Sequence, residues 1–104
     1  MIREADIEAY FVKQVANAGC VAYKFVSPGR SNVPDRMVLM PGRRVYFVEL
    51  KAPGNNPTAA QIREHARFAR TGHQVQVIDT KAGVDAWIAG VKNWWTLSPA
   101  HTKG

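Results

Sequence analysis

Asp35, Glu49 and Lys51 are two carboxylates and an amine whose spacing can bring them to one place. Glu49 and Lys51 are two apart in VYFVELK, and residues two apart on a strand leave from the same face. Leu50 between them points the other way, into a core. Charges at the end of an apolar strand need a partner, because unpaired buried charge is costly. A simple ion pair would meet that need, but VPDR adds a second carboxylate upstream. The apolar runs RMVLM and VYFVEL flank a PGRR turn, which predicts a β-hairpin over residues 36–50. The hairpin returns the chain and sets Asp35 beside Glu49. Adjacent carboxylates repel each other, and a divalent cation is the simplest neutraliser. Mg²⁺ takes oxygen ligands, commonly one or two carboxylates with water and phosphate, and the Leu50 carbonyl is available as another. Such an ion acidifies a bound water and stabilises charge on a phosphate oxygen. Lys51 beside it would orient the attacking water, neutralise the transition state or act as the base. The residues alone leave these roles open.

The elements that position these groups follow from periodicity. Residues 3–18 predict an amphipathic helix, with Ile7, Phe11, Val15 and Ala18 on one face and Gly19 as its stop. Glu4 and Glu8 share a face beside that stripe. Residues 20–26, CVAYKFV, predict a strand, and SPGRSNVPD a loop. The second hairpin strand is expected to be buried on both faces. After APGNNP, Thr58 caps a helix to about Arg70, with Ala59, Ile62, Ala66 and Ala69 expected inward and Gly72 ending it. QVQVI predicts a fourth strand, and Thr80 caps a last helix holding Val84, Trp87, Ile88 and Val91. The order is helix, three strands, helix, strand, helix. The helix over 58–70 can act as a crossover between parallel strands, giving an α/β domain with a mixed sheet.

A chain of 104 residues fits one domain, with a core over about 3–92 and a tail over 93–104 expected to fray. The net charge of +6, from 14 Lys+Arg against 8 Asp+Glu, favours polyanionic partners. Cys20 is the sole cysteine, which excludes an intrachain disulfide, and it reads as a small core residue. The N-terminus carries charge where a signal peptide needs an apolar segment, and no apolar run approaches a membrane span. The expectation is a soluble, cytoplasmic protein with no membrane partner.

Asp35 followed by Glu49-Leu50-Lys51 resembles the signature of the PD-(D/E)XK nuclease superfamily. More narrowly, IEAYFVKQV, KFVSPGRSNVPDRMVL, VYFVELKAPG and Gln61 at the start of the next helix resemble the stand-alone VRR-NUC nucleases of bacteriophages and bacteria. The likeness covers roughly residues 4–80. It implies a restriction-endonuclease-like αβββαβ core and a DNA endonuclease using Mg²⁺ or Mn²⁺. It also implies that Asp35, Glu49 and the Leu50 carbonyl bind metal, that Lys51 is the catalytic lysine, and that Gln61 reaches the site from its helix. Family members place a first-helix glutamate near the metal; Glu8 matches best, and Glu4 is the competitor one turn away.

Lys24, Arg30 and Arg36 lead to Asp35 and are the expected phosphate contacts, which would position DNA without reading its sequence. Arg43 and Arg44 at the hairpin tip read as solvated; His65, one turn beyond Gln61, could approach substrate, with a plain surface role as the preferred reading, and His73 and His101 fall in a loop and the tail. Trp87 fits a core face; Trp94 and Trp95 are candidates for base stacking or a dimer contact. The resemblance also implies a homodimer, whose paired sites would suit a four-way junction. The alternatives are a flap or single-strand nuclease and a non-catalytic DNA-binding module of the same fold.

Overall fold

The structure is a computed structural model that describes the backbone of residues 1–97 and the side chains through Asn93. Three helices and four strands follow in the order α1 (Glu4–Asn17), β1 (Ala22–Lys24), β2 (Arg36–Met40), β3 (Arg44–Leu50), α2 (Ala59–Arg70), β4 (Val75–Ile78) and α3 (Lys81–Leu97). The strands form one sheet in sequential order. β1, β2 and β3 pair antiparallel, whereas β4 runs parallel to β3, with α2 as the crossover. No helix among the described residues is long and apolar enough to cross a membrane.

The hairpin forms as its turn residues predict. Gly42 and Arg43 sit at φ of 78° and 62°, and Gly42 supplies one of these left-handed positions without a Cβ penalty. Register follows: Arg36 faces Val48, and Val38 faces Tyr46. β1 is shorter than the seven residues expected: pairing starts at Ala22 opposite Val38, and past Lys24 it finds no strand partner because β2 begins only at Arg36. One further bond, from the Phe25 amide to the Asp35 carbonyl, closes that end.

Pleat alternation gives the sheet two different faces. On one lie Val38, Tyr46, Val48, Leu50 and Ile78, covered by α1 and α3. Ile7, Phe11, Val15, Val38, Val48, Leu50 and Val84 are wholly buried there. Trp87 packs on Phe11 and Tyr46 at ring distances of 5.5 and 5.4 Å, as its helical position predicts. Cys20 is half-buried, its thiol 3.5 Å from the Met40 sulfur. On the other face lie Phe47, Glu49 and Val77, and α2 covers only part of it.

α2 corrects one expectation. Its start is the predicted one, with Thr58 and Gln61 forming a reciprocal capping box. Its orientation is not: Ala59, Ala66 and Ala69 are exposed and Ile62 is 56% exposed. Gln61, Glu64, His65 and Phe68 turn inward instead. Both sets recur at helical spacing, so periodicity alone does not choose between them. Burying three alanine methyls is worth about 0.8 kcal/mol each. Leaving the Glu49 charge without polar neighbours would cost several kcal/mol. The polar neighbours given to Glu49, together with Phe68 packed on Phe25 and Phe47, favour the observed orientation.

Two further differences concern the ends of elements. β3 is buried on both faces only over Val48–Leu50, because Val45 lies beyond the reach of α2 and is 40% exposed. α3 runs past residue 92 to Leu97, since NWWTL contains no glycine or proline to stop it. The side chains of Trp94 and Trp95, and residues 98–104 with His101, lie outside what is described.

Phe11→Ala is expected to lower unfolding free energy by roughly 3–5 kcal/mol in urea denaturation, as for a well-packed core aromatic. Ile62→Ser should change it by less than about 0.5 kcal/mol, as for a surface position. A loss of several kcal/mol in Ile62→Ser would restore the expected helix orientation.

Candidate active site

Glu49 and Lys51 close β3, and the ladder to β4 continues through them: the Lys51 amide donates to the Ile78 carbonyl at 3.0 Å. Both side chains emerge toward α2 and are buried, with Glu49 1% and Lys51 8% exposed. Pro34, fully buried, anchors the chain just ahead of Asp35. The Leu50 amide donates to Asp35 Oδ2 at 2.8 Å, so the returning hairpin brings the two acidic positions together as its length predicts. Leu50 is itself buried in the core, and its peptide runs through the site.

Glu49 meets polar neighbours from its own strand and from α2. Gln61 Nε2 donates to Oε2 at 3.1 Å, and Lys51 Nζ lies 3.6 Å from the same oxygen. On the opposite side His65 Nε2 lies 3.8 Å from Oε1, beyond hydrogen-bond reach. Glu49 Oε1 and His65 Nε2 are buried without a hydrogen-bond partner. Gln61 also uses its amide oxygen, which accepts from the Thr58 amide at 2.8 Å.

These contacts set the protonation chemistry. Burial pushes Glu49 up from its ordinary 4.5 to about 7, with Asp35 adding to the rise and Lys51 opposing it. Burial also raises Asp35, against the Leu50 amide that holds it down, and Glu8 raises it further. His65 is lowered, first by burial and then by Lys51. Two carboxylates that both resist ionisation form a site short of positive charge.

The donor set fits a divalent ion. Glu49 Oε1 is a buried acceptor with no donor, and Asp35 stands close enough to raise the Glu49 pKa. Among the described residues no three His, Cys, Asp or Glu side chains form a ready metal cage. One or two carboxylates completed by water and phosphate are what magnesium commonly takes up.

The other expected residues are placed less uniformly. Glu8 accepts from Arg36 Nε at 2.9 Å, and Arg36 Nη1 reaches the Ala22 carbonyl at 3.1 Å. Arg36 therefore turns inward to α1, with its guanidinium engaged by Glu8 and the backbone. Glu8 raises the Asp35 pKa and Glu4 that of Glu49, so both first-helix glutamates lie near the site, Glu8 being held by Arg36 and Glu4 exposed. Lys24 is exposed and faces Arg36 across β1 and β2. Arg30 is half exposed and pairs with Glu64 at 3.3 Å.

Sequence reasoning missed two neighbours of this site. His65, for which the sequence favours a surface role over an approach to substrate, is 13% exposed and approaches Glu49. Glu64, 7% exposed, was not singled out at all. The usable signal was the second helical period 61/64/65/68, which puts polar groups and one phenylalanine on a single face.

No family model matches the chain. The protein "Putative nuclease p44" of Acyrthosiphon pisum secondary endosymbiont phage 1 is 54% identical over 81 residues, covering 78% of this chain and 87% of that protein. A solved structure described as a VRR_NUC domain superposes with a TM-score of 0.77 at 31% identity, over 86% of this chain and 97% of its own. The mixed four-stranded sheet flanked by three helices matches that fold.

The raised Glu49 pKa gives a signed pH dependence for the metal-free protein. Its contribution to stability is fully present below about 4.5 and is lost as pH rises through about 7. His65, being lowered, acts in the opposite sense, but only below its ordinary 6.5. Between pH 6.5 and 8 the melting temperature in EDTA should therefore fall, and Glu49→Gln should flatten the slope. A slope that survives the substitution would assign the titration elsewhere.

Proposed function

The chain belongs to the VRR-NUC family, and on that premise we propose that it is a deoxyribonuclease hydrolysing phosphodiester bonds with Mg²⁺ or Mn²⁺. The observation that carries this reading is the divided environment of Glu49. One carboxylate oxygen is held by Gln61 and Lys51; the other is buried, unpartnered and near a second acid. A buried acceptor without a donor costs stability, and a ligand that arrives with positive charge removes the cost.

Asp35, Glu49 and the Leu50 carbonyl would hold the ion, with Glu8 facing them from α1. When bound, it supplies an acidified water and stabilisation of charge on the phosphate. Gln61 keeps Glu49 in one rotamer. Lys51, anchored by its buried stem, aims its ammonium at the reacting region, where it can orient a water or neutralise a phosphate oxygen. Lys24 and Arg30, both exposed, are suited to flanking phosphates.

The finer reading is a homodimer acting on branched DNA such as four-way junctions in the cytoplasm of a bacterial or phage-infected cell. Supporting the dimer is the half of the sheet face that α2 leaves uncovered. Tyr23, Leu39 and Val45 stand there, each at least 40% exposed. Scattered apolar residues need no explanation, but three at one corner of a sheet face form a patch suited to a second copy. Paired sites about a two-fold axis suit a symmetric branch point.

The test uses end-labelled four-way junction, flap and linear duplex DNA with Mg²⁺, Mn²⁺ or EDTA. Cleavage should need the metal and fall on the order of 10²–10³-fold in Lys51→Ala, as when a charge-stabilising donor is removed. Binding without cutting under every metal condition would leave a non-catalytic DNA-binding module. Light scattering should give twice the 11.5 kDa chain mass. A monomer, or flap cutting far faster than junction cutting, would replace the resolvase reading with a flap or single-strand nuclease.

A further inference from the structure

Beside the proposed catalytic centre lies a second feature that its chemistry does not use. Phe47 precedes Glu49 by two residues on the same face of β3, roughly 7 Å along the strand. Glu64 and Phe68 stand on the inward face of α2, next to and one turn beyond His65. Between α2 and the loop over 26–34 are two adjoining hollows of about 260 and 360 Å³, both lined by Arg30, Glu64 and Arg67. The first has an aromatic wall: Phe68 meets Phe47 at 4.8 Å and 73°, and His73 meets Phe47 at 5.9 Å and 82°. The second adds Arg63 and the polar loop residues Ser31 and Asn32.

The electrostatics of the hollow are specific. Glu64 is 7% exposed, and its Oε1 receives Arg30 Nη1 at 3.3 Å and Arg67 Nε at 3.5 Å. The two arginine side chains are 51% and 54% exposed, so their outer edges remain in water. A helix-to-loop staple would need one such pair. Here two guanidiniums share one carboxylate at the mouth of an aromatic pocket, a third, from Arg63, lines the adjoining hollow, and the wall residue Phe47 sits two positions before Glu49 on the same strand. Aromatic faces, guanidiniums and a buried acceptor are the three groups that hold an unstacked nucleotide: rings stack on its base, arginines take its phosphate, and a carboxylate accepts from an exocyclic amine.

Resting on the nuclease reading, we propose that this cleft binds one unpaired base of the DNA substrate, adjacent to the scissile phosphate. The base lies against Phe68 and Phe47, its phosphate meets Arg30 and Arg67, and Glu64 favours bases that carry an exocyclic amine. A base inside a duplex is stacked on both sides and cannot enter. The cleft therefore selects DNA in which a nucleotide has left the stack, at a branch point, flap or single strand.

Binding is measured in EDTA, so that it does not depend on turnover, using flap DNA with 2-aminopurine as the first unpaired nucleotide and the matching linear duplex. The wild-type protein should quench the unpaired probe several-fold, roughly as stacking on an aromatic ring does. Phe68→Leu should abolish the quenching and weaken flap binding on the order of tenfold, leaving duplex binding unchanged. Arg67→Ala, a change at an exposed side chain that does not threaten folding, should weaken flap binding more than duplex binding. Glu64→Gln should narrow the preference for cytosine over thymine at that position. Unchanged probe emission on binding, or equal losses for flap and duplex in both Phe68→Leu and Arg67→Ala, would overturn the proposal. Parallel incubations with Mg²⁺ separate the two readings. Flap cutting without quenching leaves the nuclease and removes the cleft, whereas quenching with no cutting of flap, four-way junction or duplex under Mg²⁺ or Mn²⁺ leaves the cleft and removes the nuclease.

Discussion

A carboxylate with 1% of its surface exposed at the end of a buried strand governs the arrangement around it. Slipping β3 by one residue would turn Glu49 into the apolar core under α1 and α3 and send Val48 and Leu50 out of it, so Glu49 is fixed on the α2 face. It must therefore be served where it stands. Lys51 serves it from its own strand, Gln61 and His65 approach from α2, and Asp35 crowds it from the other hairpin strand. The inward polar face of α2 is a response to that single charge. The two sides of the sheet accordingly do different work: α1 and α3 enclose an apolar core, while α2 encloses chemistry and leaves the rest of its face bare.

Much of this was legible in the residues, for reasons that can be stated. The hairpin was readable because a Pro-Gly turn between two apolar runs fixes where the chain reverses, and reversal places Asp35 near Glu49. The α2 start was readable because Thr58 and Gln61 have capping-box spacing, which is a local geometry. α1 was readable because only one of its faces is apolar. What failed was the choice between two faces of α2 of equal periodicity. That choice depends on a charge in another strand, and no window of sequence containing α2 includes it. His65 and Glu64 were misplaced or missed for the same reason. Arg36 was read as a phosphate contact because it neighbours Asp35 in sequence. In the fold, pleat alternation sends its side chain to the α1 side, where Glu8 receives it.

The basic residues divide into those already engaged within the molecule and those left to the outside. Arg36 is committed to Glu8 and the Ala22 carbonyl. Arg30 and Arg67 share Glu64 yet keep half their surface in water. A net charge of +6 thus overstates what is free to meet a polyanion and says nothing of where it is met. Position, set by which face of which strand each residue occupies, carries the information that composition lacks.

Gln61 holds two obligations in one side chain. Its amide oxygen completes the start of α2, accepting from Thr58 at 2.8 Å, and its amide nitrogen holds Glu49 at 3.1 Å. A glutamate there would keep the helix start but replace the donor with a third acid. An alanine would release both ends at once. Few replacements satisfy both demands, so the position leaves a lineage little room to drift. Descendants that abandon the chemistry would still meet selection here through the helix, and a glutamine at this position would outlast the activity it once supported.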